Sequence, residues 1–435
     1  MSSDIGHVLS TKSRDLQRDT FIFISLSARS ELFFVAGINQ KLTPASSATI
    51  HHWVEILRGE SKPEPFWLCP VTVHSAGIMA YYVRPSGPAI EPYSKEPLPA
   101  GNYGWYFDRE CTARGFPDLT TVPARLYTLE ARLNSVSDET GIKLVPDVIP
   151  AAEADVAVAR DEGRCRFTGC LTDTILVWII PPAVAWETED STLAPRDTTA
   201  PFLVAANIIT MQRQLRFHFH NNHFTVDVDD DYRILVLRAM GDAQSLLPSH
   251  LPRHVKQSAA ADHFLRLHCR HSLSVMLLGG DIAEVYSNSM IIQAMSELGV
   301  DYAGSDEPEE SEMVALEDVR WQSELGQEIL AHVMKNRMAR SLYESERSVC
   351  GSDDDEAPAE SAKSVKQIEI DSEDWPTFVE PSKTWQAIDF DPALYSSSSD
   401  DVELSKFPRV RIPADWRPPP GAEVALISPK AFLAD

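Results

Sequence analysis

The most constraining feature of this sequence is an ordered run of short motifs between residues 160 and 224. A turn around Cys165 is followed by a short apolar segment that ends at Pro181. After a polar spacer, Asn207 precedes a segment with helical character, and an asparagine-rich turn leads to Phe224. Proline interrupts backbone pairing, and asparagine is favoured at helix starts and in turns. The sequence therefore predicts a turn, a strand, a loop, a helix led by Asn207 and a second strand, in this order.

The chain has 435 residues, which is too many for one ordinary hydrophobic core, so we expect several regions. Short apolar and aromatic runs separated by proline- and glycine-rich turns predict a β-rich N-terminal domain over residues 1–145. Residues 146–300 hold the motif run, then a hairpin pattern, then two segments with helical periodicity at 256–278 and 281–298. The fold class that this pattern predicts is α+β.

The composition changes beyond residue 300. Apolar residues recur at spacings of three and four over 313–345, which predicts a long amphipathic helix within the region 301–349. Such a stripe should dock on the body of the protein or on a partner. Residues 350–435 are rich in Ser, Asp, Glu and Pro, so we expect a disordered acidic tail. The net charge of −25 argues against broad affinity for nucleic acid, but most of that charge lies in residues 301–435.

The cellular location is predicted from the N-terminus and the cysteines. The first residues lack the basic and apolar regions of a signal peptide, and the six cysteines include no CxxC pair. We therefore expect an intracellular protein, cytoplasmic or nuclear and not secreted, with reduced thiols. Arg29 and Glu31 interrupt the most apolar early segment, so we expect no membrane span.

Several of the ordered motifs resemble the HNH endonuclease domain, a ββα-metal module found in many fungal proteins. The matching positions, in chain order, are Arg160-Asp161, Cys165, Thr168-Gly169, Ile179-Ile180-Pro181, Asn207, Ile209, Met211, Leu215, Phe219 and Asn221. The segment that begins Asp262-His263-Phe264 is similar to the C-terminal extension of that family. The resemblance covers about residues 150–300, and it implies a ββα module with a helical extension between the β-rich domain and the long helix.

In that family a histidine on the first strand deprotonates water, an asparagine orients it, and further ligands hold a divalent cation against the phosphodiester. Here the position of the base is Trp178, the orienting asparagine matches Asn207, and the helix histidine is replaced by Arg216. The family's aspartate after phenylalanine is His220. Neither indole nor guanidinium is a base at neutral pH. The resemblance therefore implies a degenerate, catalytically impaired endonuclease fold that acts as a binding module.

A dense run of histidines offers a second hypothesis. His218, His220 and His223 form a His-x-His-x-x-His pattern, and imidazole is a common transition-metal ligand. In an active, relocated nuclease site, Asn207, His218 and His220 would be catalytic. All three histidines would bind Mg, Mn, Zn or Ni. The alternative is structural, because donor side chains at the end of a helix suit its terminal carbonyls.

The sequence is consistent with more than one kind of partner. Arg213 and Arg216 could contact phosphate without cutting it, which makes DNA a candidate partner, or they could form a solvated face with nearby aspartates. A third hypothesis is a scaffold that binds proteins through the 313–345 helix and the acidic tail. The relocated nuclease requires that Asn207 and at least two of the three histidines converge on one cleft with the strand that bears Trp178.

Overall fold

The structure is a computed structural model that describes residues 6–25, 32–58, 66–112, 127–140, 148–187, 200–252, 259–300 and 313–350. These residues are mixed α and β, and all of them belong to one compact unit. The predicted tail, apart from its first residue, lies outside them. Residues 256–258, at the start of a segment that was expected to be helical, also lie outside them.

The N-terminal part contributes a five-stranded sheet, as its β-rich pattern indicates. Its elements are α1 (Thr11–Asp15), β1 (Thr20–Ser25), β2 (Leu32–Ile38), α2 (Ser47–Arg58), β3 (Trp67–Gly77), β4 (Ala80–Pro85) and β5 (Gly101–Tyr106). The strand order is β2-β1-β5-β3-β4. Strands β1 and β5 pair in parallel, and the other neighbours pair antiparallel. The parallel pair joins β1 to the central strand β5, so β1 lies inside the sheet although it comes first in the chain.

The rest of the described chain supplies two antiparallel pairs of strands and six α-helices. Its elements are α3 (Leu129–Thr140), α4 (Ala151–Asp161), β6 (Thr174–Trp178), β7 (Ile208–Gln212), α5 (Arg213–His220), β8 (Phe224–Asp227), β9 (Arg233–Val236), α6 (Asp262–Met276), α7 (Asn288–Glu297) and α8 (Glu324–Cys350). Strands β6 and β7 pair antiparallel, and so do β8 and β9. The hairpin expected after Phe224 and the helices expected at 256–278 and 281–298 are present, with shifted ends.

The helix predicted to begin at Asn207 is wrong. Asn207 ends a short 3-10 turn, the residues that follow it form β7, and the helix begins only at Arg213. Ile208 and Ile209 are β-branched and suit a strand. The segment forms a strand because it pairs antiparallel with β6, with Trp178 opposite Ile208.

Both faces of the five-stranded sheet are apolar, and helices from distant parts of the chain cover them. On one face, strand residues cluster with α2 and α6, and the buried members include Ile22, Ile24, Leu68, Trp105, Trp53, Leu57, Leu273 and Leu277. On the other face, strand residues cluster with α7, α8 and the turn before α8, and these include Phe21, Phe23, Val71, Tyr81, Ile291, Met295, Trp321 and Ile329. These clusters join residues from the regions predicted as 1–145, 146–300 and 301–349.

The long helix predicted over 313–345 begins at Glu324, after a short 3-10 turn that contains Trp321. A 3-10 turn also brings apolar residues together at a spacing of three, so periodicity alone does not separate it from the helix. Trp321 is buried in the cluster on the sheet. Met334 and Met338, farther along α8, are 49% and 65% exposed. The docked part of the apolar stripe is therefore its first half.

Arg18 links the start of the chain to the end of α6. Its buried guanidinium donates to the carbonyls of Met276 at 2.5 Å, Leu277 at 3.0 Å and Gly279 at 2.7 Å. The last carbonyls of a helix have no partners within the helix, and a cation is favoured at that end. This side chain therefore satisfies acceptors that would otherwise be buried without donors.

Replacement of Arg18 by Met should lower the free energy of unfolding by about 3 kcal/mol, because several buried carbonyls lose their donors. Urea unfolding of the full chain measures this change. Arg14→Met is the control, since Arg14 pairs with Glu324 at an exposed site where an ion pair contributes less than about 1 kcal/mol. Equal losses in the two variants would contradict the role assigned to Arg18.

A second polar contact crosses from α2 to β8. His52 donates from Nε2 to the buried carboxylate of Asp227 at 2.8 Å. This hydrogen bond raises the pKa of His52 above its ordinary value, against the opposing effect of burial. The carboxylate of Asp227 also accepts from the backbone N–H groups of Asp229 and Asp230. The imidazole and the turn between β8 and β9 are therefore held by the same side chain.

Because the pKa of folded His52 lies above its unfolded value, this contact stabilises the protein fully below about pH 6.5. The contribution is lost as the pH rises through the folded pKa. The free energy of unfolding lost in His52→Gln should therefore be larger at about pH 5.5 than at about pH 8.5, as measured by urea unfolding. The exposed His250 gives the control His250→Gln. A loss that is constant or grows with pH would contradict the assignment.

Candidate functional site

Strands β6 and β7 and helix α5 carry most of the residues singled out from the sequence. The two strands pair antiparallel, and α5 follows β7 without a break. Leu215 and Phe219 on α5 are buried in a core that includes Phe167 and Phe224. The order is therefore strand, strand, helix, with one face of the helix packed and the opposite face exposed.

A buried carboxylate joins the end of α4 to β7. Asp161 accepts hydrogen bonds from the guanidiniums of Arg160 at 2.7 Å and Arg166 at 3.0 Å, and from the N–H of Thr210 at 2.8 Å. Burial acts to raise the pKa of Asp161, but these donors outweigh it and hold the pKa below its ordinary value. The part of the HNH-like motif around Arg160-Asp161 therefore has a structural role, which is to connect the end of α4 to β7.

Trp178, at the family's base position, is a packed side chain. It is 2% exposed and clusters with Ala157 and Ile208. Its backbone carbonyl accepts a hydrogen bond from Nε2 of His220 at 2.9 Å. An indole in this place fills space and offers no proton acceptor.

Asn207 is fully buried, and its amide group joins the loop after β6 to the start of β7. Its Oδ1 accepts from the N–H of Ile180 at 2.9 Å. Its Nδ2 donates to the carbonyls of Ile180 at 2.7 Å and Phe202 at 2.9 Å. Both polar atoms of the side chain are therefore bonded to backbone groups.

His220, buried at the end of α5, is directed toward the strand that bears Trp178. Its Nδ1 lies 3.6 Å from Oε2 of Glu130 on α3, which is longer than a well-formed hydrogen bond. His220 holds the pKa of Glu130 below its ordinary value, and Arg216 adds to this effect. The imidazole is therefore placed between a backbone carbonyl and a carboxylate.

His218 and His223 are bonded to each other. Their Nδ1 atoms are 3.0 Å apart, and the ring of Phe217 is edge-on to both imidazoles. Burial, with a smaller effect of the Arg238 charge, lowers the pKa of His223 to about 4, and burial also lowers the pKa of His218. Both rings are therefore neutral near pH 7, so one Nδ1–H donates to the other Nδ1.

The candidate residues therefore form three separate sets of hydrogen bonds. Asn207 is bonded to the loop after β6, His220 to the carbonyl of Trp178, and the other two histidines to each other. Within the described ranges, no group of three or more His, Cys, Asp or Glu side chains is placed to hold a metal ion.

The outer face of α5 is basic and aromatic. Arg213 is exposed and pairs with Asp173 at 3.2 Å, and Phe217 is 60% exposed. Phe217 was not predicted as a site residue. Its position could have been found, because Leu215 and Phe219 are four apart on the packed face and Phe217 falls between them on the opposite side. Glu130 was also missed, and it lies too far away in sequence for any local pattern to reveal it.

Comparison with known proteins adds no relative: no protein-family model, no curated protein and no solved structure matches this chain. Within the part of the chain that the structure describes, no helix has both the length and the apolar character needed to cross a membrane. The resemblance to the HNH family therefore depends on the motif residues alone.

Replacement of Asn207 by Ala should lower the free energy of unfolding by about 3 kcal/mol, since three backbone groups lose their buried partner. Asn207→Asp should rescue little, because a carboxylate cannot donate to the carbonyls of Ile180 and Phe202. Thermal or urea unfolding measures both changes. Asn221→Ala is the control, because Asn221 is only half-buried: its amide donates to the Phe217 carbonyl at an exposed site and accepts from the Thr128 hydroxyl at 3.2 Å. Full stability in Asn207→Ala would contradict the structural role.

Proposed function

We propose that residues 146–300 form a degenerate HNH-like module that binds nucleic acid, DNA first of all, without hydrolysing it. The two antiparallel strands β6 and β7 followed by α5 support this proposal, since a ββα module has this order, although the helix begins at Arg213 and not at Asn207. The contacts of Trp178, Asn207 and the three histidines support the absence of hydrolysis, and the exposed face of α5 supports binding.

The observation that carries the proposal is the burial of Trp178, which stands where the HNH family has its histidine base. General-base catalysis needs an acceptor within hydrogen-bond reach of water. Trp178 is buried, and the nearby imidazole of His220 uses Nε2 to donate to the Trp178 carbonyl. Asn207, the residue that would orient a base, has both side-chain atoms bonded to backbone. These contacts favour a structural use of the former active-site positions.

The outer face of α5 provides the chemistry for binding. The exposed guanidinium of Arg213 and the half-buried guanidinium of Arg216 suit phosphate oxygens, and the exposed ring of Phe217 suits stacking on an unpaired base. Acidic neighbours, Asp173 beside Arg213 and Glu130 near Arg216, limit the positive charge. We therefore propose single-stranded DNA as the preferred form, because stacking adds binding energy that does not depend on net charge.

The full chain should bind a labelled single-stranded oligonucleotide in EDTA at about 50 mM salt, with affinity that falls at about 200 mM salt. Fluorescence anisotropy measures both. Phe217→Ala should weaken binding by about 1–3 kcal/mol through loss of stacking, and Arg213→Gln should reduce the salt dependence by about one ion.

The matched control is Arg109→Gln. The side chains of Arg109 and its partner Glu91 are 68% and 62% exposed, the same values as for Arg213 and Asp173. Both substitutions therefore break an exposed ion pair and remove one charge. Absence of binding, or equal effects of the two substitutions, would contradict the proposal.

The alternative is an active endonuclease that uses His218, His220 and His223. Supercoiled plasmid incubated with the full chain and Mg, Mn, Zn or Ni distinguishes the two. We expect no nicking with any of these metals. Metal-dependent nicking that disappears in a His218/His220/His223 triple alanine variant would replace our proposal by the active-enzyme alternative.

A protein-interaction scaffold is the other alternative, and one observation favours it. Met334 and Met338 are exposed on the second half of α8, and exposed methionines adapt to varied protein surfaces. An acidic tail that recruits proteins belongs to the same alternative, but it lies outside the described residues. An intracellular location, cytoplasmic or nuclear, is part of the proposal in either case, and the free thiols of the described cysteines agree with it.

A further inference from the structure

The pair formed by His218 and His223 has a rigid support. His223 follows a turn in which its N–H donates to the carbonyl of His218 at 2.9 Å. Asn222, in that turn, has a left-handed backbone and is fully buried. Its side chain donates to Ser272 at 2.8 Å and accepts from the N–H of Leu129 at 3.1 Å. Contacts to α6 and α3 therefore hold the two imidazoles side by side.

We infer that His218 and His223 together form a two-histidine binding site for a divalent transition-metal ion, Cu²⁺ or Ni²⁺. His220 has no part in it, because its Nε2 is bonded to the Trp178 carbonyl. The site is independent of the proposed binding of nucleic acid, which needs no metal.

One ion can reach both Nδ1 atoms once the rings turn, because these atoms lie only 3.0 Å apart in the hydrogen-bonded pair. Imidazole is a ligand that suits Cu²⁺ and Ni²⁺, and both ions rank high in affinity for nitrogen ligands. Water would complete the coordination.

Coordination by both Nδ1 atoms requires a change in one ring. In the hydrogen-bonded pair, one imidazole carries its proton on Nδ1 and the other carries its proton on Nε2. When the ion binds, the first ring loses its Nδ1 proton and gains one on Nε2, so no net proton is released. The rings also have to turn about their Cβ–Cγ bonds, because in the hydrogen-bonded pair the two nitrogens point at each other. His223 is buried and His218 is half-buried, so we expect the larger movement at His218.

The charge of Arg238 opposes a cation at this site. The backbone N–H of Arg238 donates to the His223 carbonyl, and its charge contributes to the lowered pKa of that imidazole. Removal of this charge should therefore strengthen metal binding while the two ligands stay in place. Tighter metal binding after removal of the Arg238 charge distinguishes the proposed site from adventitious binding elsewhere on the chain.

Calorimetric titration of Cu²⁺ and Ni²⁺ into the full chain tests the inference. His218→Ala and His223→Ala should each weaken binding at least about tenfold, and Arg238→Gln should tighten it about twofold. The electron paramagnetic resonance spectrum of the Cu²⁺ complex should show two nitrogen ligands, reduced to one in either alanine variant. His250→Ala and His263→Ala are controls, because both side chains are exposed and lie elsewhere in the sequence.

Binding that survives both His218→Ala and His223→Ala, or that depends instead on the control histidines, would overturn the assignment. Circular dichroism shows whether each variant remains folded. His218→Gln, at the half-exposed position, keeps the test decisive if His223→Ala unfolds. Because DNA binding is measured in EDTA, either proposal can fail without the other.

Discussion

A sheet with two apolar faces has to be covered on both sides, and the rest of the fold depends on this constraint. The covering segments come from far along the chain: α2 and α6 on one face, and α7 with the start of α8 on the other. Burial of apolar surface therefore joins the N-terminal strands to helices that follow the hairpins. Arg18 adds a polar link at the same junction, where it donates to the end of α6.

The same principle applies at smaller scale around the candidate site. Buried polar groups need partners, and here a few side chains meet that need for whole loops. Asp161 joins α4 to β7, and Asn207 joins the loop after β6 to the start of the next strand. Asn207, which the HNH resemblance relates to catalysis, thus stabilises the local fold. Trp178 is buried against Ile208, whereas general-base catalysis requires a base in contact with water.

The groups available for binding lie elsewhere, on the outer side of α5 and in the turn that follows it. One side of that helix presents guanidiniums and the ring of Phe217, and the turn brings His218 and His223 together. The two features require different ligands, an anionic strand and a metal cation. Both arise because Leu215 and Phe219 fix the orientation of α5, which leaves the intervening residues at the surface.

The sequence alone determined the elements whose pattern is local. Alternating residues after Phe224 predicted the β8–β9 hairpin, and apolar spacing predicted α6, α7 and the docked part of α8. It also identified His218, His220, His223 and Asn207 as unusual. Only the tertiary structure decided what these residues contact. The segment after Asn207 became a strand because β6 lies beside it, and His220 separated from the other histidines because α5 packs with that side toward Trp178. Periodicity records which face of a segment is apolar, but the partner of each face is set by contacts between residues that are distant in the chain.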